Sequence, residues 1–275
     1  MIAELNKQDF YKCKDLVNNF GQLEILAIIN GVNPGRIFVD NPETPGSGVV
    51  WQGNKDGFVF FGNEQNEEFN SRINYFIDNV IEPQAKRIGL DWFEAIGNHE
   101  GWNKVIEKIF EHRDLGDWDQ RVYVLDKNDY IATNKPNINK EYTVHKINKG
   151  FYETNQNSLS NFDFLRSKLL GAWSSLDNFF NSGIGYCIVY NNAIVSICHS
   201  EFAVDNVHCI AIETVREHQG KKLAQKVAHR FVTDCLDKGM VPYWDCMEVN
   251  KASIALAENI GFRKVFDYKG YDFKL

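Results

Sequence analysis

The sequence predicts an α/β (α+β) fold, and features of its second half carry that prediction. Three β-like runs follow one another across short Asn-containing turns, at Gly185 to Tyr190, Ala193 to Val204 and Val207 to Val215. The last run leads into a glycine-containing turn and then a segment whose apolar residues recur at i, i+4 and i+8, as on an amphipathic helix. Gly239 stands where the C-terminal cap of that helix belongs, and a further β-like run, Val241 to Cys246, follows it. The pattern is that of an antiparallel meander followed by a strand, a helix and another strand.

Composition restricts the classes of partner. The chain has 275 residues, of which 44% are hydrophobic and 24% charged, as in ordinary globular proteins, and it is long enough for one large domain or two small ones. The formal net charge is −7 and no block of like charges occurs, so we expect no nucleic-acid partner. An acidic surface mildly favours cationic small substrates, although solubility explains it equally well.

The expected location is the cytoplasm. The first residues contain no apolar region of the kind found in signal peptides. The longest apolar run, Ile25 to Ile29, is far too short to span a membrane, so no membrane partner is expected. The six cysteines lack CxxC spacing and are interpreted as reduced, mostly buried thiols.

The first part of the chain also alternates strands and helices. Asp9 to Phe20 and Glu67 to Val80 have helical apolar spacing, and two runs that flank Asn54-Lys55-Asp56-Gly57 predict a hairpin. We therefore predict an N-terminal α/β domain over residues 1–125, a connecting segment over 126–150 and a catalytic domain over 151–275. The order of elements in the first domain is close to that of the last. It is either a degenerate second copy of the same fold or a generic accessory domain.

The junction between Val215 and the following helix is the strongest candidate for a site. A strand that enters a short turn and then a helix leaves unpaired backbone N–H groups at the helix start. With the helix dipole they favour an anion such as phosphate. Lys221 and Lys222 add positive charge at this point.

These residues resemble a motif of the GNAT N-acetyltransferases, Gln/Arg-x-x-Gly-x-Gly/Ala. The segment Gln219-Gly220-Lys221-Lys222-Leu223-Ala224 matches at Gln219 and Ala224 but has Lys222 where the family prefers Gly. Asn250, Ser253 and the pair Gly261-Phe262 follow with the spacing of the family's next helix. The strings Tyr-Trp-Asp-Cys and Leu-Ala-Glu-Asn-Ile-Gly-Phe resemble a subgroup that includes a zwittermicin A-resistance acetyltransferase. The resemblance covers Gly183 to Leu275.

The resemblance implies a GNAT fold, acetyl-CoA as co-substrate and no metal. The reaction that the resemblance implies is direct transfer of the acetyl group to a primary amine of a small molecule, in a ternary complex. The residues it assigns to the co-substrate are backbone groups beside the thioester, the phosphate turn and the start of the next helix, namely Ile212, Glu213, Thr214, Gln219, Gly220, Lys221, Lys222, Leu223, Ala224, Asn250 and Ser253. Preorganised N–H donors of this kind stabilise a developing oxyanion.

A general base is needed because an amine of pKa near 10 is almost wholly protonated at neutral pH. The candidates are Glu213 and His208 on one strand, and Glu201 and Asp245 on its neighbours. His208 and Glu213 are five positions apart, so they should face opposite sides of the strand and only one can line a given cleft. Each also has a plainer interpretation, as a packed or exposed strand histidine or as a surface carboxylate.

One position departs from the family. A tyrosine that serves as general acid often stands four residues before the Gly-Phe pair, and Ala257 stands there in this chain. Either the thiol leaves unaided, or Tyr268 or Tyr271 supplies the proton. Core packing is the alternative for Tyr271.

Other chemistries fit less well. Cys198-His199 and His208-Cys209 offer only one ligand per strand face, so four zinc ligands cannot converge. No cysteine has an evident charge partner that would make it a nucleophile. Two further hypotheses stay open: a catalytically silent acyl-CoA-binding module, and an interaction protein that uses the fold without CoA. A homodimer also stays open.

Overall fold

A computed structural model describes residues 1–18, 21–53, 55 and 57–275. The chain forms two compact units. The first contains residues 1–120 together with 267–275, and the second contains residues 121–266.

The first unit mixes strands and helices along its length. A 3₁₀ helix covers Lys7–Leu16 and a π-helical turn, Ile77–Ile81, joins two of the α-helices. The strands are β1 (Ala3–Glu4), β2 (Arg36–Val39), β3 (Ser47–Trp51), β4 (Gly57–Gly62), β5 (Trp92–Gly97) and the beginning of β6 (Gly116–Val124), and the helices are α1 (Leu23–Ile29), α2 (Glu67–Phe76), α3 (Glu82–Arg87) and α4 (Gly101–Ile109).

The sheet of the first unit begins with antiparallel neighbours. β1 to β4 pair in sequence order, and β4 then runs parallel to β5. The predicted hairpin is present, with Trp51 opposite Phe58. Of its predicted turn, Asn54 and Asp56 lie outside the described residues. Aromatic side chains fill the core, and Phe58 stacks on Phe93 with ring centroids 4.0 Å apart.

The second unit follows the predicted meander. Two short 3₁₀ turns, Lys127–Asp129 and Ala132–Asn134, lie between its first two strands. The strands are the end of β6, β7 (Thr143–Lys146), β8 (Gly185–Tyr190), β9 (Ala193–Val204), β10 (Val207–Thr214), β11 (Val241–Met247) and the beginning of β12 (Arg263–Lys274), and the helices are α5 (Lys149–Asn155), α6 (Phe162–Ala172), α7 (Leu176–Ser182), α8 (Leu223–Asp237) and α9 (Lys251–Ile260).

Local sequence explains the connections of this sheet. β7 to β10 pair antiparallel in sequence order, and β10 runs parallel to β11. Asn191 and Asn192 both adopt positive φ (47° and 58°), as a two-residue hairpin turn requires, and asparagine tolerates that conformation. The helix predicted after the glycine turn is α8. Its predicted apolar face is largely buried, and it packs with α9 on one side of the sheet.

The other face of the strands of the second unit carries α6 and α7. Trp173, which follows α6, donates its Nε1–H to Ser200 O at 2.8 Å. Phe179 of α7 lies against the ring of His199, with centroids 6.5 Å apart. The strands are therefore covered on both faces, and each functional side chain can be assigned to one of them.

The two units repeat one order of elements. Each has a strand, a helical region, three antiparallel strands, a helix, a parallel strand, another helix and a last strand. The last strands are exchanged in position. The end of β12 pairs with β5 in the first unit, where Gly270 lies opposite Ile96. The end of β6 lies beside β11 in the second unit, and Leu125 N donates to Pro242 O at 3.2 Å.

These units differ from the predicted boundaries. The predicted connecting segment, 126–150, contains β7, which pairs with β8 and so belongs to the second unit. The last nine residues, predicted in the catalytic domain, complete the first unit. The first predicted helix is a 3₁₀ helix that ends at Leu16, and Phe20 lies outside the described residues.

Candidate functional site

The parallel strands β10 and β11 are paired only at their beginning. Residues 207–209 pair with residues 241–243, and the register stops there. β10 nevertheless continues to Thr214 and β11 to Met247. The second halves of the two strands therefore separate, and the backbone groups on their facing edges are not used by a neighbouring strand.

The backbone amides that face this opening can be identified. Val215 N donates to Val195 O at 3.0 Å, and Thr214 lies opposite Ser196. Because N–H groups alternate in direction along an antiparallel ladder, those of Ile212 and Thr214 point away from β9 and towards β11. The amide of Glu213, predicted to act with them, points towards β9 instead.

The turn between β10 and α8 has an unusual backbone. Gly220 and Lys222 both have positive φ, at 75° and 60°. The side chain of Gln219 donates to Thr214 O at 3.1 Å, which ties the turn to the end of β10. The family's preference for glycine at position 222 is explained by this left-handed conformation, which costs a lysine roughly 1–2 kcal/mol.

The start of α8 lacks a side-chain cap. Lys222 occupies the N-cap position and makes no side-chain hydrogen bond to the helix, which has 15 residues. Within the residues that the structure describes, the first N–H groups, including those of Leu223 and Ala224, therefore have no side-chain acceptor. Together with the helix dipole they make this end of α8 suited to an anion.

The two lysines of the turn differ. Lys221 Nζ donates to Glu217 O at 3.0 Å and lies 5.8 Å from the centroid of the Tyr142 ring. Among the described residues, the ammonium group of Lys222 has no hydrogen bond or ion pair, and the residue is exposed. Lys222 is therefore better placed than Lys221 to meet a phosphate.

Asn250 and Ser253 stabilise the start of α9. Asn250 Oδ1 accepts a hydrogen bond from Ser253 N at 3.1 Å, as an N-cap does. Ser253 Oγ accepts from Trp244 Nε1 at 2.9 Å. Both predicted co-substrate residues therefore have a structural role in the free protein.

His208 and Glu213 face opposite sides of the sheet, as expected. His208 is 2% exposed and its Nδ1 lies 2.8 Å from Ser200 Oγ. Burial, with a contribution from the charge of Lys238, lowers the pKa of His208 to about 4. Glu213 is on the α6 side, where its Oε2 lies 2.5 Å from Lys168 Nζ.

The other two carboxylates are on adjacent strands. Glu201 is the extra residue of a bulge in β9, where the register passes from Phe202 directly to Ser200. Asp245 is half-buried in the separated part of β11. It alternates with core residues Trp244 and Cys246, so it faces the same side as Glu213. Of the base candidates, Glu213 and Asp245 thus lie on one face beside the opening, and His208 lies on the other.

The positions considered for a general acid have other roles. Ala257 is fully buried in the core of the second unit. Tyr271 belongs to the first unit, is 2% exposed and donates to Glu107 Oε1 at 2.8 Å. Tyr268 lies in the same unit against Trp118, with ring centroids 6.3 Å apart. Neither tyrosine belongs to the unit that carries the opening.

The cysteines are unsuited to nucleophilic catalysis. All six are buried, and none forms a disulfide within the described residues. Burial raises the pKa of the Cys187 and Cys235 thiols to about 12. Within the described part of the chain, no group of three or more His, Cys, Asp or Glu side chains could hold a metal ion. Over the same residues, no helix is long and apolar enough to cross a membrane.

In the part of the chain that the structure describes, the corresponding region of the first unit lacks both the strand opening and the uncapped helix start. β4 and β5 stay paired from Gly57 to Phe60, and Asn98 N then donates to Phe60 O at 2.8 Å. The helix that follows, α2, is capped by Asn66, whose side chain accepts from Phe69 N. Its first turn contains two glutamates. A closed strand pair and a capped, acidic helix start disfavour an anionic ligand here.

Comparisons with known proteins agree with this architecture. A family model for GNAT acetyltransferases matches residues 14–271. A protein of Bacillus subtilis (strain 168), described as the uncharacterized N-acetyltransferase YdfB, is 26% identical over 275 residues, 98% of each chain. A GCN5-related N-acetyltransferase-like protein from Streptococcus suis 89/1591 has a similar structure, with a TM-score of 0.71 and 19% identity over 97% of this chain and 98% of that one.

A tandem GNAT protein from the clavulanic acid biosynthesis pathway is also similar in fold. Its TM-score is 0.63 at 11% identity, over 100% of this chain and 98% of that one. At these identities the structural likenesses concern the fold alone. The family match, in contrast, covers most of the sequence and both units. The chain therefore belongs to the GNAT acetyltransferase family, a family of acyltransferases.

Proposed function

We propose that the second unit binds acetyl-CoA and transfers its acetyl group to a primary amine of a small molecule in a ternary complex. The observation that carries this proposal is the separation of β10 from β11 after residues 209 and 243. It lies directly before an uncapped helix start with an exposed lysine. An opening between strands next to an anion site suits a long ligand with an acyl arm and a pyrophosphate.

Different residues of the second unit would bind different parts of this ligand. The amides of the turn and of Leu223 and Ala224, with the ammonium of Lys222, would hold the pyrophosphate. The N–H groups of Ile212 and Thr214 would hydrogen-bond the arm and polarise the thioester carbonyl. Acetyl-CoA supplies an activated acetyl group, which the free amine attacks as the thiolate leaves. Binding both reactants side by side contributes up to about 7–11 kcal/mol in ideal geometry.

Glu213 is the base that the geometry favours. It faces the side of the opening that α6 covers, and it is exposed enough to meet an acceptor. Asp245 faces the same side and could relay a proton through water. His208 is disfavoured because it is only 2% exposed and its Nδ1 already lies at hydrogen-bond distance from Ser200 Oγ, so an acceptor amine has little access to the ring. Tyr268 and Tyr271 belong to the first unit, so in this proposal CoA leaves unaided as a thiolate, whose conjugate thiol has a pKa of about 8.5.

We also propose that the first unit is a degenerate second copy of the fold that does not bind CoA. Its order of elements repeats that of the second unit, including the parallel pair after three antiparallel strands. Its strand pair stays closed and its helix start is capped by Asn66.

Calorimetric titration of the full chain with acetyl-CoA tests the binding site. The Gly220→Val change should weaken binding at least tenfold, because a branched side chain at positive φ distorts the turn. Gly239→Val is the matched control. Gly239 lies at the other end of α8, has a φ of 69°, and like Gly220 has open space around it. Equal affinities for the two variants would place the site elsewhere.

Thiol release with a panel of amines tests catalysis. The panel contains polyamines, amino acids, peptide N-termini and an aminopolyol antibiotic of the zwittermicin type, because the subgroup resemblance points to the last. Acetyl-CoA binding without thiol release from any amine would favour the silent acyl-CoA-binding module. Failure of acetyl-CoA to bind would contradict the proposed function altogether.

A further inference from the structure

Three aromatic rings form a cluster against the turn that precedes α8. Tyr142 and Tyr190 stack with ring centroids 4.7 Å apart and an interplanar angle of 23°. His218 meets both rings, at 5.7 Å from Tyr142 and 5.2 Å from Tyr190. The hydroxyl of Tyr142 lies 3.1 Å from His218 Nδ1, within hydrogen-bond distance. We call Tyr142, Tyr190 and His218 the turn brace.

The sheet places the two tyrosines together. Thr143 lies opposite Val189 at the end of the β7–β8 pair, so the residues just beyond, Tyr142 and Tyr190, face each other across the two strands. Both pack on the core of the second unit. The sheet therefore holds the two tyrosines in place, and His218 is the residue of the turn brace that belongs to the turn itself.

The brace also engages Lys221. Lys221 Nζ lies 5.8 Å from the centroid of the Tyr142 ring and also donates to Glu217 O at 3.0 Å. A cation over an aromatic face is held by the ring quadrupole. Two residues of the turn, His218 and Lys221, thus contact the same tyrosine.

Apart from the hydrogen bond of the Gln219 side chain to Thr214 O, the turn has little other support. Gln219, Gly220, Lys221 and Lys222 are all exposed, and two of them adopt left-handed backbone. No side chain caps the helix that follows. A turn of this kind loses much conformational entropy when its amides are fixed around a ligand. Contacts that fix it beforehand lower that cost.

We propose that Tyr142 and His218 are positioning residues, which hold the turn in the conformation that receives the diphosphate of the acyl-CoA. The inference rests on the proposed function. It assigns a role to a residue in the segment 126–150, outside the part of the sequence that carries the family motif. The brace does not touch the reacting atoms. It acts on ligand affinity and leaves the chemical step unchanged.

The test compares Tyr142→Phe with Tyr152→Phe in the full chain. Tyr142→Phe keeps the stacked ring and removes the hydroxyl that meets His218. The control, Tyr152, packs edge-on against Phe162 and Phe180 in the same unit, away from the turn. By calorimetry, Tyr142→Phe should raise the Kd for CoA about three- to tenfold, the usual effect of one hydrogen bond. It should raise KM for acetyl-CoA by the same factor and leave kcat unchanged, and Tyr152→Phe should change neither.

Two further measurements separate this role from general stability. Amide hydrogen exchange over residues 216–222 of the free protein should quicken in Tyr142→Phe and not in Tyr152→Phe. Combining Tyr142→Phe with His218→Phe should cost no more affinity than either change alone, because both remove one hydrogen bond. Normal CoA affinity and unchanged exchange in Tyr142→Phe would overturn the brace and leave the proposed function intact. If the unmodified protein fails to bind CoA, the proposed function falls first and this role falls with it.

Discussion

Glu213 Oε2 lies 2.5 Å from Lys168 Nζ, so the carboxylate beside the opening between β10 and β11 is ion-paired with α6. His208, on the same strand, points to the opposite face and bonds Ser200 in a buried site. One strand thus presents an accessible charged group to one side and a buried neutral group to the other. This asymmetry determines what each substitution should do.

Replacing the two residues separately should give unequal kinetic results. Glu213→Gln should lower kcat about 10²–10⁴-fold, the usual contribution of a general base. The loss should shrink at high pH, where the amine deprotonates by itself. His208→Gln should leave kcat nearly unchanged and lower the midpoint of thermal unfolding. Steady-state thiol release between pH 6 and 10 measures both, and equal losses of kcat would contradict the assignment of Glu213.

Position 222 should tolerate glycine. Lys222→Gly removes the left-handed strain of a lysine but adds entropy to the unfolded chain, so stability should change by between zero and about +1 kcal/mol. CoA affinity should fall only a few-fold, through loss of one charge. Lys221→Gly is the control: Lys221 does not have positive φ, and glycine there should cost about 0.4–1 kcal/mol.

A second variant at the same position separates charge from backbone. Lys222→Asn is neutral, yet asparagine tolerates the left-handed conformation. Its CoA affinity should match that of Lys222→Gly in calorimetry at low salt. A gain from no detectable binding to micromolar binding in either variant would show that Lys222 blocks the natural site.

Local patterns carried much of the fold prediction for the second unit. The turn at Asn191 and Asn192 and the apolar periodicity of α8 are encoded in adjacent residues, and the structure contains both. The opposite facing of His208 and Glu213 followed from strand geometry alone. The family match extends over both units, although the sequence motif was visible only in the second.

The remaining features depend on contacts between distant residues. Tyr142 lies 76 positions from His218, and nothing in the polar segment around it indicates that contact. The partner strand of the last residues is β5, a pairing across 174 to 182 positions that no periodicity encodes. The bulge at Glu201 and the left-handed backbone of Lys222 also lack a local signal. Glutamate does not favour a bulge, and lysine does not favour a positive φ.

The C-terminal strand should stabilise the first unit. Phe273 is 1% exposed, stacks on Phe93 at 5.0 Å and lies under the guanidinium of Arg113 at 4.4 Å. Phe273→Ala should therefore cost about 3–5 kcal/mol, as truncation of a buried aromatic does. Val265→Ala, at a residue of the same strand that is 54% exposed, should cost about 0.5 kcal/mol or less. Urea unfolding measures both, and equal costs would contradict the exchanged position of β12.

Acid should destabilise the protein through two buried histidines. Burial, with Lys238 and Lys135 contributing respectively, lowers the pKa of His208 and of His229 to about 4. An unfolded histidine has a pKa near 6.5, so between about pH 6.5 and 4 the unfolded state binds more protons than the folded state. The stability that the neutral rings contribute is complete above pH 6.5 and is lost as the pH falls towards 4. The loss should reach roughly 2–3 kcal/mol for each residue.

Glutamine substitutions isolate this effect. His208→Gln and His229→Gln keep a hydrogen-bonding group for Ser200 and for Tyr130, whose hydroxyl lies 3.0 Å from His229 Nδ1. Neither glutamine titrates. Between pH 7.5 and 4.5, the free energy of unfolding of each variant should therefore fall by about 2 kcal/mol less than that of the unmodified protein. His112→Gln replaces an exposed histidine and serves as the control. Its loss of stability on acidification should match that of the unmodified protein. Urea unfolding at the two pH values measures the difference. If all three variants lose the same stability on acidification, the two buried rings are not the groups that titrate.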